Sequence, residues 1–503
     1  MKNFKYSFLL LAVLLYLSGC DQFFDVNSNP NSPNSDNLPL SAKLPAALVS
    51  TVNQETQQIN QIGAFWGGYW GTSNEGANQF FDLKTYNGPG IRSQRDGIPV
   101  WENGYNNILY FRLIQDEAEI GEAHFYSGVS KIMQGWLFLR LVDFYNNIPF
   151  DQAAQGNTYL NPAYESGELV YQKSVDLITE GMADLKASNT SAAENSGDLL
   201  FAGNTGMWLK FANTVKLRAL IRQSEKGNQA YISDQIQAIQ QEGSGFLALG
   251  ENALINPGYL NSAGKLNPTW ENYYRTVDGQ TTANHLNIRP TQYLVDLMTS
   301  KNDPRLLSLY QSVDGAVNGV IFGNPDAGDP VYDAAATSAF KGPSENNNQA
   351  TGIFHALNQS SVLLTSSESL FLQAEAAARG WISGDTETLY NQAIRASFQY
   401  YKTDLNSLGS YLAQETVDFG QASNPISRII EQKWLALNSV SSIEAWNDYR
   451  RLNSPDFPKT AATGITGRPY RLMYPETERG TNLENVELQG NDLVTEAKVW
   501  WMP

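Results

Sequence analysis

Apolar residues recur at three- and four-residue spacing along most of this chain, and that period constrains its fold more than any other feature. Leu44, Leu48, Val52 and Ile59 run on towards Phe65 and Trp66, while Ile132, Trp136, Leu139 and Val142 form one stripe of a later segment. The same pattern marks Trp101–Ile120, Phe125–Asn146, Leu169–Leu185, Thr205–Ser224 and Tyr231–Glu242. It returns at Ser367–Trp381, Glu387–Tyr401, Pro425–Asn438 and Ser442–Leu452. Each segment has the length of a globular helix, and short polar turns such as Ser383-Gly384-Asp385 separate several, as between antiparallel partners. The spacing predicts a mostly α protein with a tetratricopeptide-like scaffold of helical pairs, although no strict repeat of about 34 residues runs through it.

Between Gly243 and Ser361 the chain is dense in Gly, Pro and Asn, with one short helical pattern at Thr291–Thr299 that stops before Asp303-Pro304. A loop-rich stretch of this length inside a compact protein is generally functional surface. The tail from Ser454 is again irregular, with Pro455, Pro458, Pro469 and Pro475, and ends near Trp500-Trp501. The expected organisation is a helical scaffold over 41–242, a ligand-binding insert over 243–364, the rest of the scaffold over 365–453, and a tail over 454–503 that packs on the helices.

The N-terminus reads differently. Lys2 and Lys5 precede an apolar run from Phe8 to Leu17, followed by Leu17-Ser18-Gly19-Cys20. Such a run is too short to span a bilayer, which takes about 20 residues, but it suits an export signal. Small residues before the cysteine resemble a bacterial lipobox, so residues 1–19 are expected to be a signal peptide and Cys20 a lipidated residue. Residues 20–40, rich in Asn, Ser and Pro, read as an extended linker. Within it Asp25-Val26-Asn27-Ser28-Asn29 opens like a calcium loop, but Pro30 occupies the place of the glycine that such a loop needs.

Charge and motifs exclude several functions. With 51 acidic against 34 basic residues the net charge is −17, which repels phosphate backbones and disfavours a nucleic-acid partner and, for the same reason, an acidic substrate. Cys20 is the only cysteine, so no internal disulfide or thiolate zinc site can form. His124, His285 and His355 are far apart and lack metal-ligand spacing. No GxSxG elbow, GxGxxG or P-loop is present, and no cofactor is implied. Ser338-Ala339-Phe340-Lys341 matches SxxK but lacks its companion motifs and reads as chance.

Several passages, taken in order, resemble one family. They are Glu368-Ser369-Leu370-Phe371-Leu372-Gln373-Ala374-Glu375 with Arg379-Gly380-Trp381, then Leu389-Tyr390-Asn391, then Ile430 to Lys433-Trp434, then Glu444-Ala445-Trp446 with Tyr449-Arg450-Arg451. Arg471 to Tyr474-Pro475 and Glu478, with Asn482 and Asn485, continue the pattern. Together with the lipobox and linker, these resemble the SusD/RagB family of nutrient-binding outer-membrane lipoproteins. The resemblance implies a helical binding protein rather than an enzyme, held on the outer membrane by a lipid and facing the exterior. It also implies capture of oligosaccharides, or in some branches peptides, for a SusC-like TonB-dependent transporter. Read from the residues alone, the same motifs look structural. Glu375 and Arg379 have the spacing of an exposed ion pair, and Trp434, Trp446 and Tyr449 fall at helical core positions.

Sugars present flat C–H faces and many hydroxyls, so their sites combine exposed rings with amide and guanidinium groups. Two stretches have that mix. Phe65-Trp66-Gly67-Gly68-Tyr69-Trp70 continues the first helix, which puts Trp66 and Trp70 on one face beside a bare glycine backbone. Asn74, Phe80, Phe81, Tyr86 and Arg92 follow. In the insert, Trp270, Tyr273 and Tyr274 precede Arg289. The candidate ligand contacts are Trp66, Tyr69, Trp70, Asn74, Phe81, Tyr86, Arg92, Trp270, Tyr273, Tyr274 and Arg289. Two other classes remain open at this point: a helical glycoside hydrolase, which needs only a pair of carboxylates, and a non-transport adhesin on the same anchor.

Overall fold

The structure, a computed structural model, describes residues 38–324 and 328–503. The expected signal peptide, the lipobox with Cys20 and the Asp25–Asn29 segment lie outside the described residues.

Helix α1 (Leu40–Gln54) passes through a π turn at Glu55–Ile59 into α2 (Asn60–Trp66). The hairpin α3 (Val100–Ile120) and α4 (His124–Tyr145) follows, then α5 (Gly167–Ala187), α6 (Thr205–Arg222) and α7 (Gln229–Glu242). After α8 (Gln292–Ser300) come α9 (Ser366–Ala378), α10 (Thr386–Tyr400), α11 (Pro425–Leu437) and α12 (Ser442–Leu452). Local chemistry sets these boundaries. Ser166, Asn204, Thr291, Thr365, Asp385 and Asn424 each accept a backbone N–H of the first turn of the helix they precede. Gly243 stops α7 at φ 85°, where a residue with a Cβ would be strained.

The scaffold is a mostly α assembly in which α3 packs on α4, α4 on α5, and α9 on both α10 and α11. Small residues set how closely α4 and α5 approach. A Cβ on Gly128 would lie 2.7 Å from the Gly181 carbonyl oxygen, and one on Gly181 would lie 2.6 Å from that of Gly128. Only glycine at both positions permits that backbone contact.

A continuous cluster of buried charges joins these helices. Arg140 donates to Glu55 at 2.9 and 3.0 Å and to Glu444 at 2.6 Å. Arg222 pairs with Glu444 and with Asp143, the latter at 3.3 Å, and Arg218 reaches Glu368 at 3.3 Å. Lys433 and Arg451 share Asp448, each at 2.9 Å. Glu375 is not in the exposed pair that its spacing suggests. It is fully buried and is gripped by both Arg451 and Arg379. Buried ions are tolerable only when so paired, and loss of one partner strands the other.

The middle of the chain is more ordered than a loop-rich reading implies. β1 (Trp70–Thr72) pairs antiparallel with β3 (Ile288–Pro290), with Trp70 opposite Pro290 and Thr72 opposite Ile288. β2 (Ala253–Ile255) pairs antiparallel with β4 (Ser361–Leu364). Short helices at Pro268–Tyr273, Ala283–Asn287 and Arg305–Leu309 fill the intervals. The tail returns to α4, where Trp501 Nε1 donates to Asp143 at 2.9 Å and the Leu472 N–H donates to the Phe144 carbonyl at 2.8 Å. Among the described residues no helix is long and apolar enough to cross a membrane.

Candidate functional site

The loop after β1 forms a cavity of about 370 Å³ with two segments distant in sequence, Gly323-Asn324 and Ala462-Thr463. Its lining includes Ser73, Asn74, Asn78, Phe81, Lys84 and Thr85. The loop is organised around one cation. Lys84 is buried, and its Nζ donates to Thr72 Oγ1 at 2.8 Å and to the Gly76 and Ala77 carbonyls at 3.1 and 2.8 Å. All three acceptors are uncharged oxygens, and burial draws the Lys84 ammonium down to about 8.

Phe80 and Phe81 face opposite ways. Phe80 adopts φ 53°, a left-handed conformation rare for an aromatic residue, and packs 4.9 Å from the Phe65 ring. Phe81 is left 56% exposed at the cavity. Such a backbone persists only where its surroundings hold it. Here the tail supplies the hold. The Thr460 N–H donates to Tyr86 Oη at 3.0 Å, and Thr460 Oγ1 donates to the Lys84 carbonyl at 2.5 Å. Gly323, at φ 68°, lies so close to Thr460 that a Cβ would fall 1.9 Å from its Oγ1. Asn74 turns its amide onto the Asp329 carbonyl at 2.6 Å and the Asp333 carboxylate at 2.8 Å.

The exposed ring platform expected at Trp66, Tyr69 and Trp70 is corrected by the structure. All three are core residues at 2% exposure or less. The helix ends at Trp66, so Trp70 opens β1 instead of sharing a helical face with it. Each polar tip is already used. Trp66 Nε1 donates to the Leu83 carbonyl at 3.0 Å, Trp70 Nε1 to Ser439 Oγ at 2.7 Å, and Tyr69 Oη to the Trp434 carbonyl at 2.5 Å. The glycine backbone is covered as well, because the Gly67 carbonyl accepts Trp434 Nε1 at 2.8 Å. Large rings gain most from complete burial once their N–H or O–H groups are paired.

The second stretch is also buried. Tyr274 stacks on Phe354 at 4.7 Å, Trp270 meets Tyr274 edge-on at 4.7 Å, and Tyr273 meets Trp70 at 5.2 Å. The two candidate stretches therefore do come together, but inside the core. Arg289 is buried too, spending its donors on Thr337 Oγ1 and on the Ile288 and Ala334 carbonyls, and burial draws its guanidinium down to about 10. Tyr86 is buried behind the cavity, and burial pushes its hydroxyl up to about 12. Arg92 borders a different cavity, of about 240 Å³, beside Glu102 and Met473. Of the eleven candidates, Asn74 and Phe81 line the cavity behind β1. Sequence reasoning missed Asn78, Lys84 and Thr85, whose only signal was the polar run after Trp70. It also missed Gly323, Asn324, Ala462 and Thr463, which carry no signal of their own.

Solved structures share this architecture. A SusD homolog from Bacteroides fragilis aligns with a TM-score of 0.73 at 23% identity, covering 92% of this chain and 98% of that one. A SusD homolog from Bacteroides thetaiotaomicron aligns at 0.71 and 19%, covering 93% and 99%. A chitin-binding SusD homolog from Flavobacterium johnsoniae aligns at 0.71 and 22%, covering 92% and 97%. At these identities the likeness is one of fold. No curated protein sequence matches the chain. The family model described as starch-binding, associating with the outer membrane, matches residues 36–475, and by that match over most of its length the chain belongs to the SusD-like (SusD/RagB) family.

Proposed function

We propose that this protein captures an oligosaccharide at the cavity beside Phe81 and hands it to a SusC-like TonB-dependent transporter. It does so from the outer face of the outer membrane, tethered through a lipid on Cys20. The observation that carries the reading is the cavity itself, in which an exposed ring stands among amide and hydroxyl side chains. That mix suits a ligand with apolar faces and many hydroxyls. Two solved structures of this fold are named for chitin binding, and the family description names starch; both favour a glycan over a peptide. The role is binding without turnover.

The test is calorimetric titration of chito- and malto-oligosaccharides, with a peptide panel alongside, against wild type and Phe81→Ala. A glycan should bind saturably, lose about 10-fold or more of its affinity in Phe81→Ala, and be recovered uncleaved. Binding of peptides alone, cleavage of the glycan, or no binding by either panel would overturn the reading.

A further inference from the structure

A second cavity, of about 610 Å³, lies where the end of α12 meets the tail. Its described lining carries Arg450, Arg451, Lys459, Arg468 and Lys498 against one acidic side chain, Glu225. In a chain of net charge −17 this is a local reversal of sign.

Pairing removes only part of that excess. The charge of Arg451 is paired with Glu375 and Asp448. Glu225 is occupied by Arg379 at 2.9 Å, so it offers the cavity little. Lys498 Nζ donates to a main-chain oxygen of Pro503, the last residue of the sequence and itself part of the lining, at 2.6 Å; this pair can be set aside. Lys459 and Arg468 remain. Lys459 Nζ donates to the Ile465 and Thr466 carbonyls at 3.0 and 2.8 Å, which fix the ammonium without neutralising it. The nearest carboxylate to Arg468 is Asp456, 3.5 Å away on a side chain 75% exposed, where solvent screens it. The Arg468 guanidinium is held in place over the Tyr449 ring at 4.6 Å. In the same lining Arg450 is buried, donating to the Asp143 and Tyr470 carbonyls at 2.7 Å each and to the Asn447 side-chain oxygen, while its Nε has no hydrogen-bond partner among the described residues. Burial draws the Arg450 guanidinium down to about 9, against the pull of Asp143.

We propose that this cavity is a second binding site, which takes the carboxylate or sulfate of an acidic sugar unit between Lys459 and Arg468. Two fixed cations that share a cavity lining with a buried arginine whose Nε is unpartnered reward a compact anion and give nothing to a neutral sugar. That the anion is carried on a sugar rests on the capture reading above; the anion itself does not.

The experiment compares an oligogalacturonate with a neutral galacto-oligosaccharide of equal length, and with inorganic sulfate, by calorimetry at low and moderate salt. Wild type should prefer the oligogalacturonate by about 10-fold or more, with affinity falling as salt rises. Lys459→Glu should abolish the preference and Lys459→Met, which keeps the apolar stem, should reduce it, both with wild-type melting. Equal affinity for the acidic and neutral oligomers, or an unaltered preference in both folded Lys459 variants, overturns the proposal. Sulfate binding without oligogalacturonate binding overturns the sugar assignment.

Discussion

Glu375→Gln is the substitution whose cost the structure fixes best. Burial alone would raise the Glu375 carboxyl, but Arg451 and then Arg379 outweigh it and hold the group down to about 2. Arg451 grips both carboxylate oxygens, and Arg379 Nε donates at 2.9 Å. A fall from the ordinary 4.5 to about 2 corresponds to about 3 kcal/mol of folding free energy at pH 7. Because the folded value lies below the unfolded one, that stabilisation is complete above about 4.5 and is lost as pH falls through about 2. The amide keeps the shape and removes the charge. Glu375→Gln should therefore be about 3 kcal/mol less stable than wild type at pH 7, and the deficit should shrink to roughly half of that at pH 3. Urea unfolding of both proteins, read as the difference in free energy at each pH, measures this. A variant as stable as wild type at pH 7, or a deficit that stays constant down to pH 3, would refute the argument.

Other outcomes follow from the packing and the site. Gly181→Ala drives a Cβ to 2.6 Å from a backbone oxygen and should cost about 1–3 kcal/mol, whereas Gly409→Ala meets nothing within 4 Å and should be neutral or slightly stabilising by thermal melting. The Lys84 amine should titrate near pH 8 by heteronuclear NMR. The unfolded chain takes up this proton more readily between about 8 and 10.5, so the contribution of Lys84 to stability rises with pH across that window. Titration near 10.5 would mean that the ammonium is not buried. Cys20→Ala should move the protein from the membrane fraction to the soluble fraction; unchanged partitioning would remove the anchor from the proposal.

The helical part of the fold was legible in the sequence because its signals are local. Three- and four-residue spacing placed α3, α4, α5 and α6 within about two residues of their observed ends, and caps such as Asp385 and Asn424 mark where α10 and α11 begin. The family motifs were legible for a reason that the structure makes plain: Glu375, Lys433, Glu444 and Arg451 converge in the buried charge cluster that ties the helices together. The site was much less legible. Trp66, Trp70, Trp270 and Tyr274 have the composition of a sugar platform, but composition does not say which side of a ring meets water. Phe81 is exposed because Phe80 takes a left-handed turn, and the cavity closes only when Gly323 and Thr463 arrive from far along the chain. Neither event leaves a local pattern.

Hydrogen–deuterium exchange with and without a saturating oligosaccharide, taken from whichever member of the chito- or malto-series binds, tests most directly that the first cavity is where capture occurs. Protection should concentrate in 72–85 and in the peptides that contain 323–324 and 462–463, with the buried stretch around Trp270 unchanged. Protection confined to other surfaces, with the 72–85 loop exchanging as in the free protein, would contradict the account.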